Sequence, residues 1–416
     1  MRRLGVMLLA VGLAGCLRSN GVTPDLSPDP VPDRPADAPP PEWSADMQTV
    51  ADGNNQFALD LYAKLRGEEK GKNVFFSPYS VHTALSMTAT GAKGNTRDEM
   101  VKVLHLPADE AKALATGDLG RFYAHPRTSY ELSVANALWG QKGFPWRPEF
   151  LALQKDRFGA GFNEADFRSN PEAERQRINR WVEEKTRERI KELLQRRHID
   201  ANAKMVLANA IYFKGKWKTQ FDPKRTRDGP FHLADDGWVT VPLMYADLDA
   251  RYAERDGIRF LELPYKGGDL SMVVILPKLP DGLPAIEQKL TADTLADWLG
   301  GLRQMKLGVS LPRFKHEQAF DLPTPLQALG MVDAFGPGAD FSGMLSSGSL
   351  WIGAVAHKAF VEVNEEGTEA AAATAVVMAD SPNPPPFVAD HPFLFLIRDA
   401  RHGTILFLGR VTNPKA

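Results

Sequence analysis

The sequence predicts an α+β fold with large β-sheets and segregated helices. Three observations lead there. Long β-prone runs such as Met205 to Phe213 stand beside segments with clear helical periodicity. The two kinds do not alternate regularly, which argues against a doubly wound parallel sheet. Residues 46–416 show no internal repeat and no second Pro-rich linker until the extreme end, so one domain accounts for them.

In chain order, residues 1–15 read as a signal peptide. Arg2 and Arg3 give a positive start, Leu4 to Ala14 a short apolar stretch, and small residues precede Cys16. The apolar stretch is too short to span a bilayer. Cys16 is the one cysteine, so an intrachain disulfide and a multi-cysteine metal site are both excluded. Its position resembles that of the lipidated cysteine of bacterial lipoproteins. Residues 16–45 continue with Pro24, Pro28, Pro30, Pro32, Pro35, Pro39, Pro40 and Pro41 among Asp and Ala, a composition that makes a semi-rigid tether. The expected arrangement is a lipid on Cys16, a spacer and a soluble body on the outer side of a membrane, in the periplasm, at the cell surface or beyond it.

Within the body, Phe57, Leu61 and Leu65 recur at intervals of four, with Ala58 and Tyr62 alongside. In segment 172–198, Ile178, Trp181, Val182, Ile190, Leu193 and Leu194 define one apolar face. Its nine Lys/Arg from Arg175 to Arg197 are interleaved with glutamates, the pattern of a solvated helix face and not of a polyanion site. Strands are predicted at Met205–Phe213, Leu270–Leu276, Phe360–Val363, Phe393–Ile397 and Thr404–Leu408. The chain carries 50 Lys+Arg against 52 Asp+Glu, a formal charge of −2, which argues against a partner held by phosphate contacts such as nucleic acid. There is no G-x-S-x-G, H-E-x-x-H, P-loop or G-x-G-x-x-G motif, and the nine histidines are scattered. No cofactor, metal or enzymatic activity is expected.

The segment Glu365-Glu366-Gly367-Thr368-Glu369-Ala370-Ala371-Ala372-Ala373 is the most informative. Gly367 supplies a hinge. In an extended chain Thr368, Ala370, Ala372, Thr374 and Val376 share one face, all small and uncharged. The other face carries a single charge, Glu369. Such a run can enter a sheet as a central strand without burying charge or overpacking. Prolines from Pro382 onward then bar continuation.

These residues resemble the hinge of inhibitory serpins, and the resemblance extends over about residues 46–415. It includes Asn73-Val74-Phe75-Phe76-Ser77-Pro78-Tyr79-Ser80, Leu207-Ala208-Asn209, Phe213-Lys214-Gly215-Lys216-Trp217 and Leu311-Pro312-Arg313-Phe314. It continues through His357-Lys358-Ala359-Phe360-Val361-Glu362-Val363, His391-Pro392-Phe393-Leu394-Phe395 and Leu408-Gly409-Arg410-Val411. The likeness implies the serpin fold, with three β-sheets, about eight or nine helices and an exposed reactive-centre loop. It implies a monomeric suicide-substrate inhibitor of serine proteases. The cleaved loop would insert into the main sheet and trap the acyl-enzyme. A non-inhibitory carrier or chaperone on the same fold is the alternative.

By position, Ser77, Ser80, Asn209 and His357 match the family's polar shutter. Trp217 and the pair Glu365–Arg313 match the breach at the top of the sheet. Counted from Glu365, the family's spacing places the scissile bond at Ser381-Pro382, an awkward substrate because proline follows. Asp380-Ser381, Met378-Ala379 and Val377-Met378 stay open, as does a loss of inhibition. The region corresponding to the family's heparin helix, about 107–128, has only Lys112, Arg121 and Arg127, so heparin is not an expected partner.

Overall fold

The computed structural model describes residues 41–159, 162–368 and 386–416. All of them lie in one compact unit, Ala36–Ala416. Cys16 and most of the Pro-rich stretch fall outside the described residues. So do Glu369, Ala370, Ala371, Ala372, Ala373, Met378, Ala379, Asp380, Ser381 and Pro382.

The helices are α1 (Ala45–Glu68), α2 (Pro78–Ala89), α3 (Gly94–Val103), α4 (Glu110–Ala113), α5 (Ala115–Ala124), α6 (Pro148–Leu153), α7 (Pro171–Lys185), α8 (Leu283–Lys289), α9 (Ala292–Gly300) and α10 (Pro323–Leu329). The strands are β1 (Val74–Phe76), β2 (Tyr130–Gln141), β3 (Phe162–Ala165), β4 (Met205–Lys216), β5 (Arg227–His232), β6 (Trp238–Arg255), β7 (Ile258–Pro264), β8 (Leu270–Pro277), β9 (Arg303–Pro312), β10 (Phe314–Asp321), β11 (Ala354–Asn364), β12 (Gly367–Thr368), β13 (Pro386–Val388), β14 (Phe393–Asp399) and β15 (Ile405–Val411).

Local sequence accounts for the main elements. Ser44 caps α1 by accepting the Met47 N–H, and Phe57, Leu61 and Leu65 turn inward at their spacing of four. Ser77 caps α2 and Pro78 begins it, where a missing N–H costs nothing. Every residue of α2 is buried, so it is a core helix with no solvent face.

The strands form two hydrogen-bonded networks among the described residues. The six-stranded sheet has the order β10-β11-β12-β4-β2-β3. The second has nine strands in the order β1-β15-β14-β8-β7-β6-β9-β13, with β5 paired to β6. The two smaller sheets expected from the family likeness are continuous here because β6 serves both. Its last five residues pair with β7, its middle with β9 and its beginning with β5.

One face of the six-stranded sheet is covered by α7 and the segment after it. Ile178, Val182, Ile190, Leu193 and Leu194 pack on Val206, Ala208, Ala210, Ala356 and Phe360. The opposite face packs on the second network, where Ile211, Phe213, Val361 and Val363 meet Tyr265, Val274 and Phe407. β4 is therefore buried on both faces from Met205 to Phe213, which explains the nearly continuous apolar run there, broken only by Asn209.

The helix expected over 172–198 is corrected: α7 stops at Lys185. Arg187, Glu188 and Glu192 adopt left-handed backbone, which ends a helix. Thr186 Oγ1 donates to Val182 O and accepts from the Ile190 N–H. Asn179 then staples Leu194 back, bonding both its N–H and its carbonyl. The apolar residues at 190–194 are buried by an irregular strap.

Candidate functional site

The site is a slot in the six-stranded sheet. β4 and β11 run parallel and pair directly over seven residues, Val206–Tyr212 against Ala354–Phe360. Above Phe360 they part. β12 lies between them, antiparallel to both: Thr368 is opposite Val363 and Gly215, and Gly367 opposite Asn364 and Lys216. The hinge thus enters the sheet by two residues, Gly367 and Thr368. Gly367 is obligatory there, because a Cβ would stand 2.0 Å from Gly215 O and 2.7 Å from Lys216 Cα. Thr368 is fully buried, and its hydroxyl lies 2.8 Å from that of Tyr265. Tyr265 stacks on Trp217 with ring centroids 4.7 Å apart, and burial pushes its phenol far up.

Backbone bonds hold the turn that delivers the hinge. Trp217 N–H donates to Glu366 O at 2.8 Å, its indole Nε1–H to Asn364 O at 2.9 Å, and Phe221 N–H to Glu365 O at 2.9 Å. The Glu365 carboxylate is nearly buried and accepts from Arg313 Nε at 2.7 and 2.8 Å. Thr226 Oγ1 donates to it as well. Burial pushes the Glu365 carboxyl up, but the Arg313 and Thr226 hydrogen bonds outweigh this and hold it below its ordinary range. Arg313 is 44 % exposed, so this pair is half in solvent and steadies the turn more than the core.

Lower down, three neighbouring strands bring Asn136, Asn209 and His357 into one row. Ser77 and Ser80 lie beneath them at the start of α2. The Ser77 N–H donates to His357 Nε2 at 3.0 Å, so the ring proton sits on Nδ1, which faces Asn209 Oδ1. Asn209 Nδ2 donates to Ser80 Oγ at 2.6 Å and to Asn136 Oδ1. Ser77 Oγ donates to Leu406 O at 2.6 Å, and Ser80 Oγ to Asn136 Oδ1 at 3.0 Å. The His357–Asn209 bond crosses between the two strands that would part. It lies three residue pairs below the last direct pair, Phe360–Tyr212.

Sequence reading found Ser77, Ser80, Asn209, His357, Trp217, Arg313 and Glu365, and the structure brings them into these two clusters. It missed Asn136, Tyr265 and Thr226. A signal for Asn136 existed: Val134-Ala135-Asn136-Ala137-Leu138 repeats the pattern of Leu207-Ala208-Asn209-Ala210-Ile211. Two of the basic residues of 107–128 are engaged locally. Arg121 pairs with Asp118, and Arg127 lies over the rings of Phe122 and Tyr130.

Burial pulls His357 down to about 3, and His82 and His316 down to about 4. Each is near 6.5 when unfolded, so between these values the unfolded chain binds more protons. Their contribution is complete above pH 6.5 and is lost as pH falls toward the folded value. At pH 5 each histidine costs up to about 2 kcal/mol. Thermal melts at pH 7.5, 6 and 5 should show a falling midpoint. A midpoint that holds to pH 5 would contradict the neutral, buried imidazoles.

Residues 52–414 match the family model described as Serpin (serine protease inhibitor). The chain belongs to the serpin family. This serpin is 42 % identical over 378 residues to the leukocyte elastase inhibitor of Sus scrofa, covering 88 % of this chain and all of that one. Human thyroxine-binding globulin, solved with its thyroxine, superposes with a TM-score of 0.83 at 29 % identity, over 89 % of this serpin and all of that chain. Serpin48 of Tenebrio molitor, described as highly specific, superposes with a TM-score of 0.81 at 33 % identity, over 89 % of this chain and all of its own.

Proposed function

We propose that this serpin is a suicide-substrate inhibitor of serine proteases. The observation that carries the reading is the placement of Gly367 and Thr368 in the slot between β4 and β11. Each further residue of the hinge steps one residue back along both neighbours. Continued in this register, Thr374 comes opposite His357 and Asn209, so a hydroxyl arrives where their mutual bond must break. Between Thr368 and Thr374 only Glu369 is charged, and the rest are alanines. Such a strand enters a two-sided core at little cost.

In the proposed reaction the protease serine attacks the scissile carbonyl and forms an ester, and the amine end leaves. The freed hinge fills the slot before water reaches the ester. The bond falls within 377–382, with Ser381-Pro382, Asp380-Ser381, Met378-Ala379 and Val377-Met378 as the candidates. Likeness to an elastase inhibitor supports the inhibitory reading. We also propose that Cys16 is lipidated and that residues 16–45 tether the domain outside the membrane, on the composition of the leader alone.

The test is thermal. The loop is nicked with a permissive protease, and the melting of nicked and intact protein is compared. A large upward shift is expected. An unchanged midpoint would mean that the loop stays out after cleavage, and would favour a non-inhibitory binding protein, for which the thyroxine-binding globulin is the structural likeness.

A further inference from the structure

At the foot of the sheet, where β4 and β11 begin, lies a cleft of about 290 Å³. Its lining includes Gln141, Arg168, Ala203, Lys204 and Trp351, with two cations and, among the described residues, no carboxylate. Lys204 immediately precedes β4, and Trp351 stands three residues before β11, so both lie at the foot of the line along which these strands pair. Lys204 Nζ donates to Ser349 O at 2.9 Å and to Ser349 Oγ at 3.1 Å, and lies 3.7 Å above the Trp351 ring. These partners are neutral.

The strand register says what reaches this place. Thr368 opposite Val363 carries Val377 opposite Ala354, where β11 begins. Gly367 opposite Lys216 carries Met378 opposite Met205, where β4 begins. Both ladders therefore end at 377–378. The next residues are Ala379, level with Lys204, and Asp380, level with Ala203 and Trp351. Beyond the last ladder pair the chain is free to turn.

We propose that the Lys204–Arg168–Trp351 cleft is the receptacle for the Asp380 carboxylate after the cleaved loop has filled the slot. The inference rests on the inhibitory reading and adds where the strand ends and what holds it. A carboxylate there meets an amine whose present partners carry no charge, in a cleft roomy enough for one side chain. Burial already pulls the Lys204 amine below the ordinary lysine range, and an adjacent anion would reverse that.

The test labels the protein with an amine-acylating reagent and reads Lys204 by peptide mass spectrometry, before and after nicking on the C-terminal side of Asp380. The nick is verified by mass. Labelling at Lys204 should fall at least threefold on nicking, and Asp380→Asn should remove most of that protection. Asp380→Asn keeps the side chain's size and removes only its charge. Equal protection in Asp380→Asn would overturn the proposal, since the chain alone would then cover the amine. So would unchanged labelling in nicked protein that has gained thermal stability. Nicked protein with no thermal gain would overturn the insertion reading itself, and this proposal with it.

Discussion

Thr368→Arg is expected to turn the protein from inhibitor into substrate. Thr368 is fully buried between β4 and β11, with its hydroxyl against Tyr265. A guanidinium there would be an unpaired charge in a two-sided core, which costs several kcal/mol. Insertion competes with hydrolysis of the acyl-enzyme, and each 1.4 kcal/mol against it shifts the partition about tenfold. The intact protein should melt somewhat lower, because the hinge is forced out of the slot while β4 and β11 remain paired below Phe360. The nicked variant should lose the thermal gain. Thr368→Val is the control, since it keeps volume and removes only the bond to Tyr265. A Thr368→Arg protein that inhibits as well as the unmodified chain would contradict insertion at this point.

Asn209→Ala should loosen the sheet at the polar row. Its amide joins Ser80 Oγ and His357 Nδ1, both buried, and the half-buried Asn136. Truncation leaves the imidazole N–H without its partner, an orphaned polar group that costs about 1–3 kcal/mol, while Asn136 Oδ1 keeps its bond from Ser80 Oγ. A loss of about 2 kcal/mol is expected, read as a lowered urea midpoint of the intact protein at pH 7.5. Nicked protein should suffer less, because Thr374 brings a hydroxyl to the same level. Equal loss in both forms would refute the idea that this row holds the slot shut.

Much of the slot was legible in the sequence because its requirements are compositional. A small, uncharged face at alternate positions and a glycine where two backbones touch are visible without coordinates. The caps Ser44 and Ser77 and the apolar strands were equally local. What escaped depends on register. Asn136 becomes part of the polar row only when β2 pairs with β4 residue for residue. Tyr265 meets Thr368 from another sheet, more than a hundred positions away. The end of α7 was missed because Ile190, Leu193 and Leu194 keep helical spacing while the backbone reverses hand at Arg187 and Glu188. Burial satisfied the pattern by another route. The two-residue insertion depends on where β4 and β11 part, which no residue pattern encodes.

The placement of β12 makes the main sheet resemble a plate with a notch cut into one edge. A flawless plate resists splitting because the first break is the costly one. Here that break exists, so separation of β4 from β11 starts at a tip just above Phe360 and Tyr212. It advances one rung at a time. Three rungs down, the tip meets His357 and Asn209, which act as a rivet ahead of the fracture. Failure of this sheet is therefore directional: it begins at the hinge end and pauses at a known depth, and a shock applied at the lower end meets intact material.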